Sequence, residues 1–280
     1  DGALERRAIR GTCRMMKDIP KGYIELPSAE AVRSDKIAYC EMYNISAREQ
    51  DPVRGRGLAQ KHGDRYLVAH PPQLPLNEKE LDSTFDLPFT RRWHPMYDAM
   101  GGVPALDEVK FSIMATRGCF GSCSFCALTF HQGRIVTARS HESVLKEARE
   151  LTKMPDFKGY IHDVGGPTAN FRRPACPKQL KSGTCPDRQC LFPEICAAAK
   201  PDHSEFVKLL RQMRAIPGIK KVFIRSGLRY DWLLKDKDST FLRELVENHI
   251  SGQLKVAPEH VSPRVLSMMG KPGQPVFEEF

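Results

Sequence analysis

No apolar run in this 280-residue chain approaches the roughly 20 residues that a helix needs to cross a bilayer. The N-terminus, Asp1-Gly2-Ala3-Leu4-Glu5-Arg6-Arg7, also lacks the apolar core of a secretory signal. A soluble cytoplasmic protein with no membrane partner is therefore expected. Long basic runs are missing as well. The formal charge is +9, from 43 Lys and Arg against 34 Asp and Glu, but the excess is spread along the chain. A solvated basic surface is favoured over a nucleic-acid partner. There is no initiator methionine, and the helical pattern at residues 4–9 has no beginning, so the chain reads as an excerpt from a longer protein.

What is present is enough for a folded core: 41% of the residues are hydrophobic. Nine cysteines occur, and seven of them fall between Cys119 and Cys196. In a reducing compartment such clustering points to metal ligation or redox chemistry rather than a disulfide framework. Cys13 and Cys40 stand alone and read as buried thiols.

Residues 20–104 are dense in proline, which prevents long regular elements, and they read as an irregular segment with one helix over residues 29–43. Its interspersed apolar residues, among them Leu67, Val68, Phe85, Leu87 and Trp93, suggest a segment that wraps a second domain. After Pro104 strands and helices alternate. Strands are expected over residues 109–115, 159–164, 221–226 and 254–257. Helices are expected over residues 142–153, over the stretch opened by a capping box at Asp202-His203-Ser204-Glu205, and over residues 239–249. This alternation implies right-handed crossovers and a parallel sheet. The fold class expected is α/β, a partial parallel (β/α) barrel of the TIM type cut short after about four strands, with an irregular N-terminal extension. The corresponding domains are residues 1–104 and residues 105–280, the latter with a cysteine-rich insertion at 167–201. In such a barrel, sites collect where strands give way to loops, and Gly165-Gly166, Arg225-Ser226 and Glu259-His260 all occupy that edge.

Directly after the first of these strands comes Cys119-X3-Cys123-X2-Cys126. Three thiolates from one short loop can each bond one iron of a 4Fe-4S cluster and leave the fourth iron open to a small molecule. A structural zinc site would instead call for four protein ligands.

This stretch, with Phe125 before the third cysteine, resembles the signature of radical S-adenosylmethionine (SAM) enzymes. Further stretches narrow the resemblance to the YgiQ family. They are Ile24-Glu25-Leu26-Pro27-Ser28, Phe85-Asp86-Leu87-Pro88-Phe89, Gly165-Gly166-Pro167-Thr168-Ala169-Asn170, Ser226-Gly227-Leu228-Arg229-Tyr230-Asp231 and Lys255-Val256-Ala257-Pro258-Glu259-His260. The resemblance implies a 4Fe-4S cluster on Cys119, Cys123 and Cys126 whose open iron is chelated by SAM. It also implies reductive cleavage of SAM to a 5′-deoxyadenosyl radical, with electrons from a donor such as flavodoxin or ferredoxin. By the same resemblance, Gly165 and Gly166 contact the methionine part of SAM, although Pro167 replaces the usual acidic residue. Backbone around Phe125 lies near the adenine, and Arg225 and Ser226 reach the ribose or carboxylate. The resemblance also implies an isoleucine-glycine motif on a fifth strand. No catalytic residue and no substrate follow.

A second group, Cys176, Cys185, Cys190 and Cys196, supplies four thiols for an auxiliary iron-sulfur cluster or a zinc ion. Nearby Arg172-Arg173, Lys178, Lys181 and Arg188 would bind an anionic substrate or balance a thiolate site. Glu259-His260 is a candidate for proton transfer, and Asp163 is expected to fix a loop. A non-catalytic iron-sulfur or zinc protein that binds RNA through a basic surface is the rival reading.

Overall fold

The structure is a computed structural model that describes residues 8–280. Of the helix expected over residues 4–9, only Ala8 and Ile9 are among the described residues, and neither is helical. The chain divides into two compact units, Asp1–Pro75 with Pro177–Arg188, and Leu76–Cys176 with Gln189–Phe280.

The first unit is more regular than its prolines suggest. Strands β1 (Cys13–Met16), β2 (Ile24–Leu26), β3 (Leu58–His62) and β4 (Arg65–Ala69) form one sheet in the order β1-β4-β3-β2. β4 runs antiparallel to both β1 and β3, whereas β2 pairs parallel with β3. Ala59 and Val68 face each other in the register and are fully buried, while Leu67, the next position on β4, and Arg65 beyond it are exposed. A sheet with one wet face needs apolar residues only at alternate positions, so its short basic strands read as loop. The helix expected over residues 29–43 is two helices, α1 (Ala29–Ser34) and α2 (Lys36–Glu49). Asp35 breaks them by adopting an extended backbone (φ −126°, ψ 120°), and its carboxylate caps α2 at the Ile37 N–H, 2.8 Å away.

The segment Pro177–Arg188 belongs to this first unit. Buried Asp51 accepts hydrogen bonds from Thr184 N (2.6 Å) and Thr184 Oγ1 (2.8 Å) on one oxygen, and from Val53 N and Arg54 N on the other. Arg54 Nε adds a bond to Ser182 O at 3.1 Å. Burial opposes the Asp51 charge, but these donors hold its carboxyl below the usual carboxylate range.

The second unit shows the expected alternation with shorter strands. β5 (Ser112–Met114) pairs parallel with β9 (Asp163–Gly165), and β8 (Tyr160–Ile161) pairs parallel with β10 (Lys221–Val222). β6 (Thr116–Arg117) pairs antiparallel with β7 (Thr137–Ala138). Of the strand expected over residues 254–257, a single parallel bridge from Val256 to Leu228 is formed. Helix α3 (Glu78–Phe85) opens with a capping box from Asn77 and Glu80. The helices α4 (His141–Thr152), α5 (Ser204–Arg214) and α6 (Thr240–Asn248) follow the apolar periodicity closely. They bury Leu145, Ala148 and Leu151, then Phe206, Leu209, Leu210 and Met213, then Phe241 and Leu245, against Ile113, Ile161, Val164, Val222 and Ile224 of the strand segments. The architecture is mixed α/β with small sheets, four strands in one and two in each of the others, rather than one continuous barrel wall among the described residues.

The capping box expected before α5 does not form. Asp202 instead bonds Ser204 N (2.9 Å) and Ser204 Oγ (2.6 Å) in the preceding turn, and Glu205 turns away to Arg172. A buried guanidinium draws a carboxylate more strongly than an exposed backbone N–H does. No helix among the described residues is long and apolar enough to cross a membrane.

Leu209 is fully buried at the centre of this core, so Leu209→Ala should cost about 2–5 kcal/mol. The shift in denaturation midpoint at unchanged m-value measures it. Lys153→Ala on the exposed end of α4 should stay within about 0.5 kcal/mol.

Candidate functional site

The cysteine loop is pinned at its base, its middle and its far end. At the base, β6 pairs with β7, and Cys119 N bonds Gly133 O at 3.0 Å. Gly118 has φ +86°, and a Cβ there would fall on the Ile135 carbonyl oxygen, so only glycine fits. In the middle, Phe120 is fully buried, stacked on Phe171 at 3.7 Å between ring centroids and edge-on to Trp232 at 5.0 Å. At the far end, Ser124 bonds Met269 O through its N–H (3.1 Å) and Met268 O through its hydroxyl (2.6 Å). Gln189 Nε2 bonds Ser122 O at 3.0 Å.

Two of the three sulfurs flank Gly121. A Cβ on that residue would sit 3.3 Å from Cys119 Sγ, 3.8 Å from Cys123 Sγ and 3.1 Å from Arg229 Nη1. Cys126 closes a turn with its N–H on Cys123 O at 3.1 Å. Burial pushes the Cys123 thiol up, with the cations Arg229 and Lys271 opposing and the neighbouring Cys119 and Cys126 adding to the rise. The donor set suits a thiophilic metal group: three sulfurs from one loop, a recess kept open by a glycine, and a cation beside them to favour thiolate. Among the described residues no group of three or more His, Cys, Asp and Glu side chains is drawn to metal-ligating distances.

The glycine stretch lies directly against this loop. Gly166 packs on the strand that leads into the cysteines, where a Cβ would overlap Thr116 Oγ1 and come within 2.7 Å of Thr116 O. Thr168 Oγ1 is 3.4 Å from Cys119 Sγ. Gly165 sits beside Ser226, whose Oγ would be 3.1 Å from a Cβ there. The other expected cofactor residues stand differently. Phe125 is 51% exposed and available. Ser226 donates its hydroxyl to Asp163, and Asp163 also accepts from Arg225 N (2.7 Å) and Ser226 N (3.0 Å), the loop-fixing role read from the sequence. The Arg225 guanidinium faces Glu108 at 3.5 Å. Lys271 Nζ is 3.2 Å from Glu259, and His260 accepts the Ser262 N–H at its own Nδ1.

The second cysteine group is divided between the units: Cys185 is carried by the first, Cys176, Cys190 and Cys196 by the second. Cys190 packs on the same aromatic cluster as Cys119, and its carbonyl accepts the Cys196 N–H at 2.9 Å. Arg172, read as part of an anion-binding or charge-balancing group, is buried and structural. It bonds Glu205 through Nε and Nη2 (both 2.9 Å) and the carbonyls of Ala115 (3.0 Å) and Arg139 (3.2 Å), which bracket the base of the loop.

Sequence reasoning quoted Arg229, Asp231 and Asn170 within motifs but assigned them no role. Arg229 is buried and forked onto Asp231, Nε to Oδ1 at 2.8 Å and Nη2 to Oδ2 at 2.6 Å, and its Nη1 is 3.7 Å from Cys123 Sγ. Burial opposes its charge, yet Asp231 holds its pKa above the usual arginine value. Asn170 accepts Arg229 N at Oδ1 (3.0 Å) and donates from Nδ2 to Arg229 O (3.1 Å). That orientation points the same NH2 at His203 Nε2, 3.2 Å away, so His203 is the neutral Nδ1–H tautomer donating to Asp236 Oδ2 at 2.5 Å. Burial holds the His203 pKa below its ordinary value, with Asp236 opposing.

A profile for the family described as Radical SAM N-terminal matches residues 3–112. A UPF0313 protein from Clostridium botulinum (strain ATCC 19397 / Type A) is 58% identical over 274 residues, 97% of this chain and 42% of that protein. A UPF0313 protein from Clostridium perfringens (strain ATCC 13124) is 57% identical over 277 residues, 98% of this chain and 42% of that protein. The chain thus spans less than half the length of these curated relatives, and the cysteine loop lies beyond the residues matched by the profile.

Two outcomes follow from the packing. Gly166→Ala should force the 165–166 backbone off Thr116 and lower the thermal midpoint, whereas Gly273→Ala, at an ordinary φ of −66° and with its Cβ only in van der Waals contact with Pro275, should leave the midpoint nearly unchanged. For His203 the folded pKa lies below the unfolded value of 6.5, so the unfolded chain binds the extra proton first. Stability is therefore full above pH 6.5 and declines as pH falls below it towards the folded value, and His203→Gln should flatten that decline in urea midpoints measured against pH.

Proposed function

We propose that this chain, which belongs to the YgiQ family of radical SAM proteins, carries the cluster loop and part of the SAM seat of an enzyme that cleaves SAM reductively. The observation that carries this reading is convergence at Gly121: the Cys119 and Cys123 sulfurs share its recess with a buried guanidinium, and Cys119 also reaches Thr168 of the glycine stretch. Cys119, Cys123 and Cys126 are the residues that would hold a 4Fe-4S cluster, three ligands for four irons. A cluster held there would supply the one-electron reduction that reductive cleavage of SAM requires.

The protein's own residues shape and dry the site. Phe120, Phe171 and Trp232 pack the inner side of the loop and shield the back of Cys119 from water. Gly165 and Gly166 present backbone without side chains beside the loop, the feature expected for contact with the methionine part of SAM. Phe125 is exposed enough to meet the adenine. Arg225 and Ser226 would have to release Glu108 and Asp163 before reaching the ribose or carboxylate.

The scaffold we assign is a (β/α) barrel, supported by the parallel pairing of β5 with β9 and β8 with β10 and by the bridge between Leu228 and Val256. The rest of that barrel, an electron donor such as flavodoxin or ferredoxin, the substrate and a cytoplasmic location are proposals about the longer protein. So is a second iron-sulfur cluster or zinc ion on Cys176, Cys185, Cys190 and Cys196.

Anaerobically reconstituted full-length protein, given dithionite and SAM, should release 5′-deoxyadenosine, and Cys123→Ala should abolish release. No cleavage by protein with a confirmed reduced cluster would contradict the assignment.

A further inference from the structure

We propose that Arg229 tunes the sulfur group electronically, donating its Nη1–H to Cys123 Sγ and so raising the potential at which a cluster bound by this loop accepts an electron. The inference rests on the cluster assignment above and goes beyond it to a residue that holds no metal.

Arg229 has one guanidinium nitrogen, Nη1, left to face the cysteine loop. Its Nε and Nη2 are both committed to Asp231, and its backbone N–H and C=O are both committed to Asn170. Nη1 is thereby aimed at the cysteine loop, where Cys123 Sγ lies 3.7 Å away. Gly121 makes the approach feasible, since a Cβ there would stand 3.1 Å from Nη1 and 3.3 Å from Cys119 Sγ. The side chains of Arg229 and Asp231 are only 5% and 4% exposed, so solvent screens the guanidinium poorly.

A fork onto a carboxylate fixes the guanidinium plane and its direction. Asp231 offsets part of the charge but leaves the Nη1–H dipole pointed at the sulfur. Reduction adds one electron's charge to the thiolate-bound group, and hydrogen bonds to ligating sulfurs stabilise that more negative state. A purely structural role would need only the Asp231 and Asn170 contacts and would leave a donor aimed at sulfur unexplained. Arg229 acts through Cys123 and is a positioning residue, not a catalytic one.

The test is potentiometric titration of the reconstituted full-length protein, followed by electron paramagnetic resonance, with iron content and circular dichroism as controls. Arg229→Gln/Asp231→Asn removes both charges together and so avoids an unpaired buried carboxylate, while Arg229→Lys keeps a cation but loses the fork. The double variant should load iron as the wild type does and be at least tenfold harder to reduce, a midpoint more negative by about 59 mV for one electron. Arg229→Lys should fall between the two. An unchanged midpoint in the double variant overturns the inference. So does an unchanged midpoint with weakened SAM binding, which makes Arg229 a cofactor ligand instead. Loss of the cluster from both variants with native circular dichroism also overturns it, in favour of a role in assembly. A wild-type protein that binds no cluster would instead defeat the functional assignment itself.

Discussion

A buried guanidinium held by a buried carboxylate is the contact on which the site depends. Arg229 and Asp231 are both nearly inaccessible to solvent, and an ion pair in that position is costly to desolvate unless each remaining donor finds a partner. Here the partners are Asn170 from the glycine stretch and Cys123 from the cluster loop. Asn170 in turn fixes the tautomer of His203, which leans on Asp236. One network thus ties the end of the glycine stretch, the segment after β10 and the cysteine loop into a single arrangement.

Close backbone approach does the rest. Gly118 admits the Ile135 carbonyl, Gly166 admits Thr116, and Gly121 admits two sulfurs and an arginine. Behind the loop, Arg172 draws the Ala115 and Arg139 carbonyls together, and Glu205 balances its charge. Glu205 is held below the ordinary carboxylate range: burial raises its pKa, but the contacts with Arg172 and His141 outweigh it. The loop is therefore braced by charge from below and by stacked aromatics on its inner side, which suits a group whose own chemistry needs fixed, dry ligands.

Much of this was legible in the sequence. The helices α4, α5 and α6 followed from apolar residues at helical spacing, and the three-cysteine loop followed from its spacing after an apolar strand. Its contact with the glycine stretch followed from the family resemblance. The four-stranded sheet of the first unit was not legible, because its strands are short, set exposed Met15 and Leu67 beside basic residues in place of a clean apolar-polar alternation, and pair across fifty or more residues between β1 and β4. Nor was the attachment of Pro177–Arg188 to that unit, which hangs on the Asp51–Thr184 contact 133 residues apart in the chain. The helix break at Asp35 was hidden because aspartate can both end one helix and cap the next. Arg229 was seen only as a letter in a motif, since a donor's target is a tertiary fact.

The central claim is that three thiolates leave a coordination position for SAM. It is tested most directly by the electron paramagnetic resonance spectrum of the dithionite-reduced full-length protein, recorded with and without SAM. A 4Fe-4S signal that changes when SAM is added, and that is lost with Cys119→Ala, is the expected result. A cluster signal identical at saturating SAM would contradict it.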